Sequence, residues 1–211
     1  MKDLTDLIEI RQGWYWPKTD IRCWEYMQRA PDLPQRISNL VSQKRVAVQA
    51  GGNCGFYTKQ YAILFDTVYT FEPDWLNFHC LVNNIPYDNV IKYQACLGDQ
   101  RSLVNLKIDE QNRGKNHIAG AGIYPVAMID DLGLDVCDLI HLDIEGFEYF
   151  ALRGAIKTIK TCKPIVVVEM WDQLDNRYGD NTNQKTIDFL TELGYNYHET
   201  LDGSDKVFIP V

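Results

Sequence analysis

The sequence predicts an α/β fold: a mostly parallel sheet that ends in a C-terminal antiparallel hairpin. Three observations carry this. An apolar run at 46–48 stops at Gly51-Gly52-Asn53-Cys54-Gly55, and apolar residues at helical spacing follow from Phe56 to Ala62. That is strand, glycine turn, helix. Short apolar runs then keep alternating with helix-period segments, the mark of a parallel sheet covered on both faces. Last, Asp202-Gly203 joins two strand-like runs near the end, a strong hairpin signal.

Residues 1–45 have a different texture and form an aromatic-rich extension. Trp14-Tyr15-Trp16-Pro17, Trp24 and Tyr26 would be a sticky patch if exposed. They are expected to pack on the main domain; the sharper alternative is that they wall a ligand pocket. Pro31-Asp32-Leu33-Pro34 punctuates before a helical stretch at 35–42. The main domain spans 46–211, in one compact unit with the extension.

Strand one is expected at 45–49 and its helix at 55–65. Strand two covers 67–71 and stops at Glu72-Pro73, with a helix at 75–83. Strand three covers 90–95 and leads to Cys96-Leu97-Gly98-Asp99. Residues 100–128 break the alternation and read as an inserted hairpin or loop pair: a strand at 103–108, then a polar Gly-rich link to 124–128. Ile129-Asp130-Asp131-Leu132 starts a short helix. Strand four covers 138–142, and one helix follows at 148–160, with Phe150, Leu152, Ala155, Ile156 and Ile159 on its apolar face. Strand five covers 164–168 and leads to Glu169. A polar loop precedes a helix at 183–193, stopped by Gly194. The hairpin strands are 195–200 and 206–211.

Composition excludes several classes. The 211 residues carry a net charge of −8, against a surface built to grip nucleic acid or anionic lipid. No run of about 20 apolar residues exists to span a membrane. The first ten residues carry acids through their apolar stretch, unlike a signal peptide. The six cysteines lack any C-x-x-C spacing and sit largely in apolar patterns, so a reducing cytoplasm is expected rather than a zinc site or disulfide framework.

Open α/β sheets bind ligands beyond the carboxyl ends of their strands. Here those ends carry Gln49-Ala50-Gly51, Glu72-Pro73, Leu97-Gly98-Asp99, Asp143-Ile144-Glu145 and Glu169, four of the five in or next to an acid. Glycine lets backbone approach a ligand, and a helix N-terminus offers free N–H groups. A carboxylate at Glu72 can accept both hydroxyls of a ribose. The glycines do not spell G-x-G-x-x-G, so adenosine without a pyrophosphate fits better than a dinucleotide.

These segments, in this order, resemble the FkbM family of S-adenosylmethionine-dependent methyltransferases. Gln49-Ala50-Gly51-Gly52-Asn53-Cys54-Gly55 resembles the family's Asp-Val-Gly-Ala-Asn-x-Gly, and Phe71-Glu72-Pro73 its Phe-Glu-Pro. Ala95-Cys96-Leu97-Gly98-Asp99 and Ile129-Asp130-Asp131-Leu132 resemble its Ala-Leu-Gly-Asp and Leu-Asp-Asp segments. The most specific match is His141-Leu142-Asp143-Ile144-Glu145-Gly146-Phe147-Glu148, continuing to Leu152-Arg153-Gly154-Ala155. Two positions depart from the family: Gln49 replaces an acid that commonly helps hold the cofactor's amino group, and His141 replaces a lysine.

The resemblance implies a Rossmann-like class I methyltransferase fold, the cofactor S-adenosyl-L-methionine, and O-methylation of a hydroxyl on a sugar or other small molecule. Gln49, Gly51, Gly52, Asn53 and Gly55 would line the methionine portion, and Glu72 with Pro73 the ribose. Cys96, Leu97, Gly98 and Asp99 would lie at the adenine, and Asp143 at the transferable methyl. Asp143 is the first candidate for base or acceptor positioning, with Glu145 and Glu169 secondary and His117 a further candidate. Asp143 and Glu169 end adjacent strands, where some O-methyltransferases hold a metal. The preferred reading assigns no metal, with one acid on the substrate and the other on backbone N–H groups. Glu148 is read as an acid favourable at a helix start. The alternatives are a nicotinamide-dependent oxidoreductase and a catalytically silent cofactor-binding module.

Overall fold

The computed structural model describes residues 4–29 and 31–211. The extension holds α1 (Leu4–Leu7), an antiparallel hairpin of β1 (Ile8–Arg11) and β2 (Trp14–Pro17), α2 (Ile21–Met27) and α3 (Leu33–Leu40). The alternating part follows with β3 (Val46–Ala50), α4 (Phe56–Leu64), β4 (Thr67–Phe71), α5 (Trp75–Asn84) and β5 (Val90–Tyr93). The insertion contributes β6 (Cys96–Leu97), β7 (Ser102–Lys107), β8 (His117–Ala121) and β9 (Tyr124–Ala127). Then come β10 (Leu139–Leu142), α6 (Glu148–Arg153), α7 (Ile156–Cys162), β11 (Ile165–Glu169), α8 (Thr182–Glu192), β12 (Tyr195–Leu201) and β13 (Asp205–Pro210).

The main sheet runs β12-β13-β11-β10-β3-β4-β5. The five strands from β11 to β5 are parallel, and β13 adds antiparallel to β11. The insertion forms a separate sheet, β6-β9-β7-β8. Both faces of the main sheet are covered, so its central strands are apolar throughout. Val48, Ala50, Ile140 and Leu142 point to one core, with Leu152, Ile159 and Leu190 of the helices. Ala47, Leu139 and Val167 point to the other, with Tyr57, Tyr61 and Leu81.

The extension is tied to the main domain. Trp16 is fully buried, edge-on to Trp24, and its indole N–H donates to the Asp20 carbonyl at 2.9 Å. Asn84 of α5 exchanges two hydrogen bonds with the Tyr15 backbone and also donates to the Cys54 carbonyl at 2.8 Å. All six cysteines are free thiols. Among the described residues, no helix is long and apolar enough to cross a membrane.

Four expectations are corrected. The insertion, expected as a hairpin or loop pair, is a four-stranded sheet, because the Gly-rich link itself supplies β8, which pairs antiparallel with β7. Strand one is shifted by one residue, to Val46–Ala50. Strand three ends at Tyr93, and Cys96–Leu97 leave it to pair with β9 in the second sheet. The helix expected at 148–160 is broken at Gly154-Ala155. A Cβ on Gly154 would lie 2.0 Å from the Gly98 carbonyl oxygen, so the chain presses on the strand-three exit there. The Asp130 carboxylate then caps α7 afresh, accepting from the Lys157 and Thr158 N–H groups at 2.9 and 2.8 Å.

Candidate functional site

The glycine turn sits at the carboxyl end of β3, between the ends of β4 and β10. Gly51 and Gly52 both donate to the Phe71 carbonyl, at 3.1 and 2.9 Å. Gly51 has φ +82°, and a Cβ there would lie 1.9 Å from the Asp143 carbonyl oxygen. Only glycine permits that approach. It brings the turn onto the Asp143 segment.

Glu72 follows β4 and is 5% exposed. Its two oxygens accept from the Asn53 N–H at 2.7 Å and the Asp74 N–H at 2.8 Å. Burial, then the neighbouring Asp74 charge, push its carboxyl up to about 8, against the pull of those N–H bonds. Asp74 caps α5 through Leu76 and Asn77 N–H groups. Its other oxygen accepts from the buried Arg113 guanidinium and from Asn116 Nδ2. The insertion is thereby pinned beside Glu72.

Beyond β10 the chain turns at Glu145 (φ +60°) and Gly146 (φ +98°). Glu148 shapes this turn: its Oε1 accepts from the Ile144 and Gly146 N–H groups at 2.9 and 3.2 Å. Its role is thus more than that of a helix-start acid. Burial pushes it up to about 8. Glu169 ends β11 next to β10, and the ligand oxygens of Asp143, Glu145 and Glu169 lie within 4.8 Å of one another.

Burial first, and then the Glu169 charge, hold Asp143 well above the carboxylate range. Glu169 is pushed up to about 7 by burial and by Glu145, opposed by hydrogen bonds from Asp143 and Trp171. The Trp171 indole donates to Glu169 Oε1 at 2.8 Å, while Oε2 is out of solvent. Both shifts favour a proton on this close carboxyl pair near neutrality. Arg177 donates to the Glu145 carbonyl at 2.7 Å and lies 3.0 Å from Glu145 Oε2. Three carboxylate oxygens suit Mg²⁺ or Ca²⁺, but the Arg177 guanidinium already pairs with the Glu145 carboxylate.

Two cavities open here. The first is lined by Gly51, Gly52, Asn53, Phe71, Glu72, Pro73, Cys96 and Leu97, and closed by His117, Ile118 and Phe147. The second lies between α2, the insertion and the 171–177 loop. They share Met27, Gly114, Asp143 and Glu145. An apolar slot with one buried acid therefore meets a polar cavity at a proton-holding carboxyl cluster. That arrangement suits group transfer between two bound molecules.

Four expected residues lie elsewhere. The Gln49 side chain faces α4, where its Oε1 accepts from Thr58 and Thr70 hydroxyls at 3.0 and 2.7 Å and its amide donates to the Ala50 carbonyl. Gly55 packs against Ile85, where a Cβ would come within 2.7 Å. Gly98 packs against Val126 and Phe147. Asp99 pairs with Arg153 at 3.2 Å. None of the four lines either cavity. His141 also faces away, with Nδ1 2.8 Å from the Tyr61 hydroxyl. Sequence reasoning missed Arg113, Trp171 and Arg177; of the aromatic extension offered as a possible pocket wall, Tyr26 of α2 does line the second cavity. The rings of Trp14, Trp16 and Trp24 do not wall the site; Cys23, Tyr26 and Met27 do.

A model of the methyltransferase FkbM domain matches residues 51–197. The chain belongs to this family. Its fold is that of the class I S-adenosylmethionine methyltransferases. A solved FkbM methyltransferase from Methylobacillus flagellatus superposes with a TM-score of 0.52 at 20% identity, over 79% of this chain and 43% of that one. The chain thus spans less than half the length of that relative. A TehB-like SAM-dependent methyltransferase from Corynebacterium glutamicum has a TM-score of 0.52 at 12% identity, covering 89% and 94% of the two chains. A precorrin-6y C5,15-methyltransferase from Geobacter metallireducens has a TM-score of 0.50 at 11% identity, covering 95% of each. No curated protein matches the sequence. Within the family, the Gln49 departure is absorbed by the Thr58 and Thr70 hydroxyls on the far face of β3.

Proposed function

We propose that this FkbM-family chain transfers a methyl group from S-adenosyl-L-methionine to a hydroxyl of a sugar or other small molecule, in a reducing cytoplasm that keeps its thiols free. The carrying observation is that the two cavities meet at Asp143 and Glu145. The first takes the cofactor and the second the acceptor.

Gly51, Gly52 and Asn53 face the methionine portion. Glu72 keeps lone pairs beyond its two N–H bonds and accepts the ribose hydroxyls. Cys96, Leu97 and Phe147 enclose the adenine. The cofactor supplies an electrophilic methyl on a sulfonium. Asp143 and Glu145 align the acceptor hydroxyl at the junction. The oxygen forms its bond to the methyl carbon as the carbon–sulfur bond breaks, and the hydroxyl proton passes to the Asp143–Glu169 pair. That pair holds one proton near neutrality and has room for a second. Arg177 on Glu145 supplies the positive charge that a metal would otherwise bring, so no metal is assigned a step.

The test is transfer of labelled methyl from S-adenosylmethionine to a panel of hydroxylated small molecules. Label in a methyl ether supports the reading. Binding of S-adenosylhomocysteine with label appearing only in C- or N-methyl products contradicts O-methylation.

A further inference from the structure

The second cavity has an unusual charge arrangement for a chain of net charge −8. Arg22 and Arg29 from the α2 region and Lys115 from the insertion line it, and all three are exposed. Among the described residues, none of the three forms an ion pair. Other surface arginines of the chain are paired: Arg36 with Asp202, Arg45 with Asp138, Arg101 with Asp131 and Arg153 with Asp99. The only carboxylate these cations share the cavity with, apart from the Asp143–Glu145–Glu169 cluster, is Glu25. Of that inner cluster, Glu145 is already paired with Arg177 at 3.0 Å, and Asp143 and Glu169 lie deeper, where burial favours a proton on the pair. With the Arg177–Glu145 pair set aside, three cations face Glu25 and the one charge left on the Asp143–Glu169 pair, so the cavity keeps a positive excess, carried at its mouth. Trp171 and Tyr26 add flat apolar faces to the same wall.

We infer that the acceptor carries an anionic group, a phosphate or a carboxylate, held by Arg22, Arg29 and Lys115 while its hydroxyl meets Asp143. Guanidinium and ammonium groups give charge-assisted hydrogen bonds to such oxyanions. The rings suit the apolar face of a sugar. The inference deepens the acceptor side of the proposed function and rests on that reading for the identity of the reaction. The anion site itself is read independently of it.

The test titrates the full chain with inorganic phosphate, and in parallel with acetate, at constant ionic strength. Backbone and indole NMR shifts are followed with and without S-adenosylhomocysteine. The expected result is saturable binding with shifts at Arg22, Lys115 and the Trp171 indole, weakened at least about tenfold in the double variant R22A/K115A. Tighter binding of phosphate than of acetate assigns a phosphorylated acceptor, and the reverse a carboxylated one. Saturation by neither anion, or equal affinity in the variant, overturns the inference. Anion binding in a chain that does not bind S-adenosylhomocysteine would instead keep the anion site and sink the methyltransferase reading.

Discussion

The Gly51 backbone lies against the Asp143 carbonyl so closely that a Cβ at Gly51 would fall 1.9 Å from that oxygen. The glycine turn and the carboxyl cluster are therefore one rigid piece. Gly51→Ala is expected to lower stability by about 1–3 kcal/mol in urea unfolding, as overpacking does, and to weaken S-adenosylhomocysteine binding. Gly133→Ala is the control: it also has positive φ, +61°, but nothing within 4 Å. Equal losses in the two variants would refute the steric account.

Glu72 is the one acid buried in the wall of the first cavity beside the glycine turn. At pH 9, above the value of about 8 to which burial pushes this carboxyl, Glu72→Ala is expected to weaken S-adenosylhomocysteine affinity by roughly 1.5–3 kcal/mol, as for hydrogen bonds to a charged group. Calorimetry would read this as roughly a 10- to 150-fold rise in Kd. An unchanged Kd in a folded variant removes the ribose role.

The raised carboxyls set a pH dependence for turnover. With Glu169 pushed up to about 7 and Asp143 held higher, the pair is fully protonated in acid and cannot take a further proton. The rate of methyl transfer is expected to rise with pH through about 7. Asp143→Asn is expected to lower it at least about a hundredfold, and Glu169→Gln to remove the inflection. A flat profile in the wild-type chain would contradict the pair's role.

The same burial affects stability. Glu72 and Glu148 are pushed up to about 8 in the folded chain, above their unfolded values near 4.5. Between those values the folded state holds protons that the unfolded state has released. Stability therefore falls as pH rises from about 4.5 to about 8, by about 1.4 kcal/mol per pH unit for each group. Urea midpoints of the cofactor-free chain at pH 5.5 and pH 7.5 check this; a higher midpoint at pH 7.5 would contradict it.

Much of this was legible in the sequence because it depends on chain order. Alternating apolar runs, the glycine turn and the Asp202-Gly203 turn fix the parallel sheet and the closing hairpin. Acids at strand ends fall on one edge, which is why Glu72, Asp143 and Glu169 come to the cavities. Side-chain direction was not legible. β3 is buried on both faces, so no polar alternation marks which way Gln49 points, and it points to Thr58 and Thr70. Gly55 and Gly98 answer to packing by Ile85, Val126 and Phe147, partners remote in sequence. The break at Gly154 depends on Gly98 and Asp130 in the same way. Arg177 and Trp171 sit in or beside a polar loop whose fold no periodicity encodes.

The central claim is that the first cavity is built for the adenosyl group of S-adenosylmethionine. Calorimetry of the purified chain against S-adenosylhomocysteine and NADH tests it most directly. The account predicts saturable binding of S-adenosylhomocysteine and none of NADH. Binding of NADH without S-adenosylhomocysteine would contradict it.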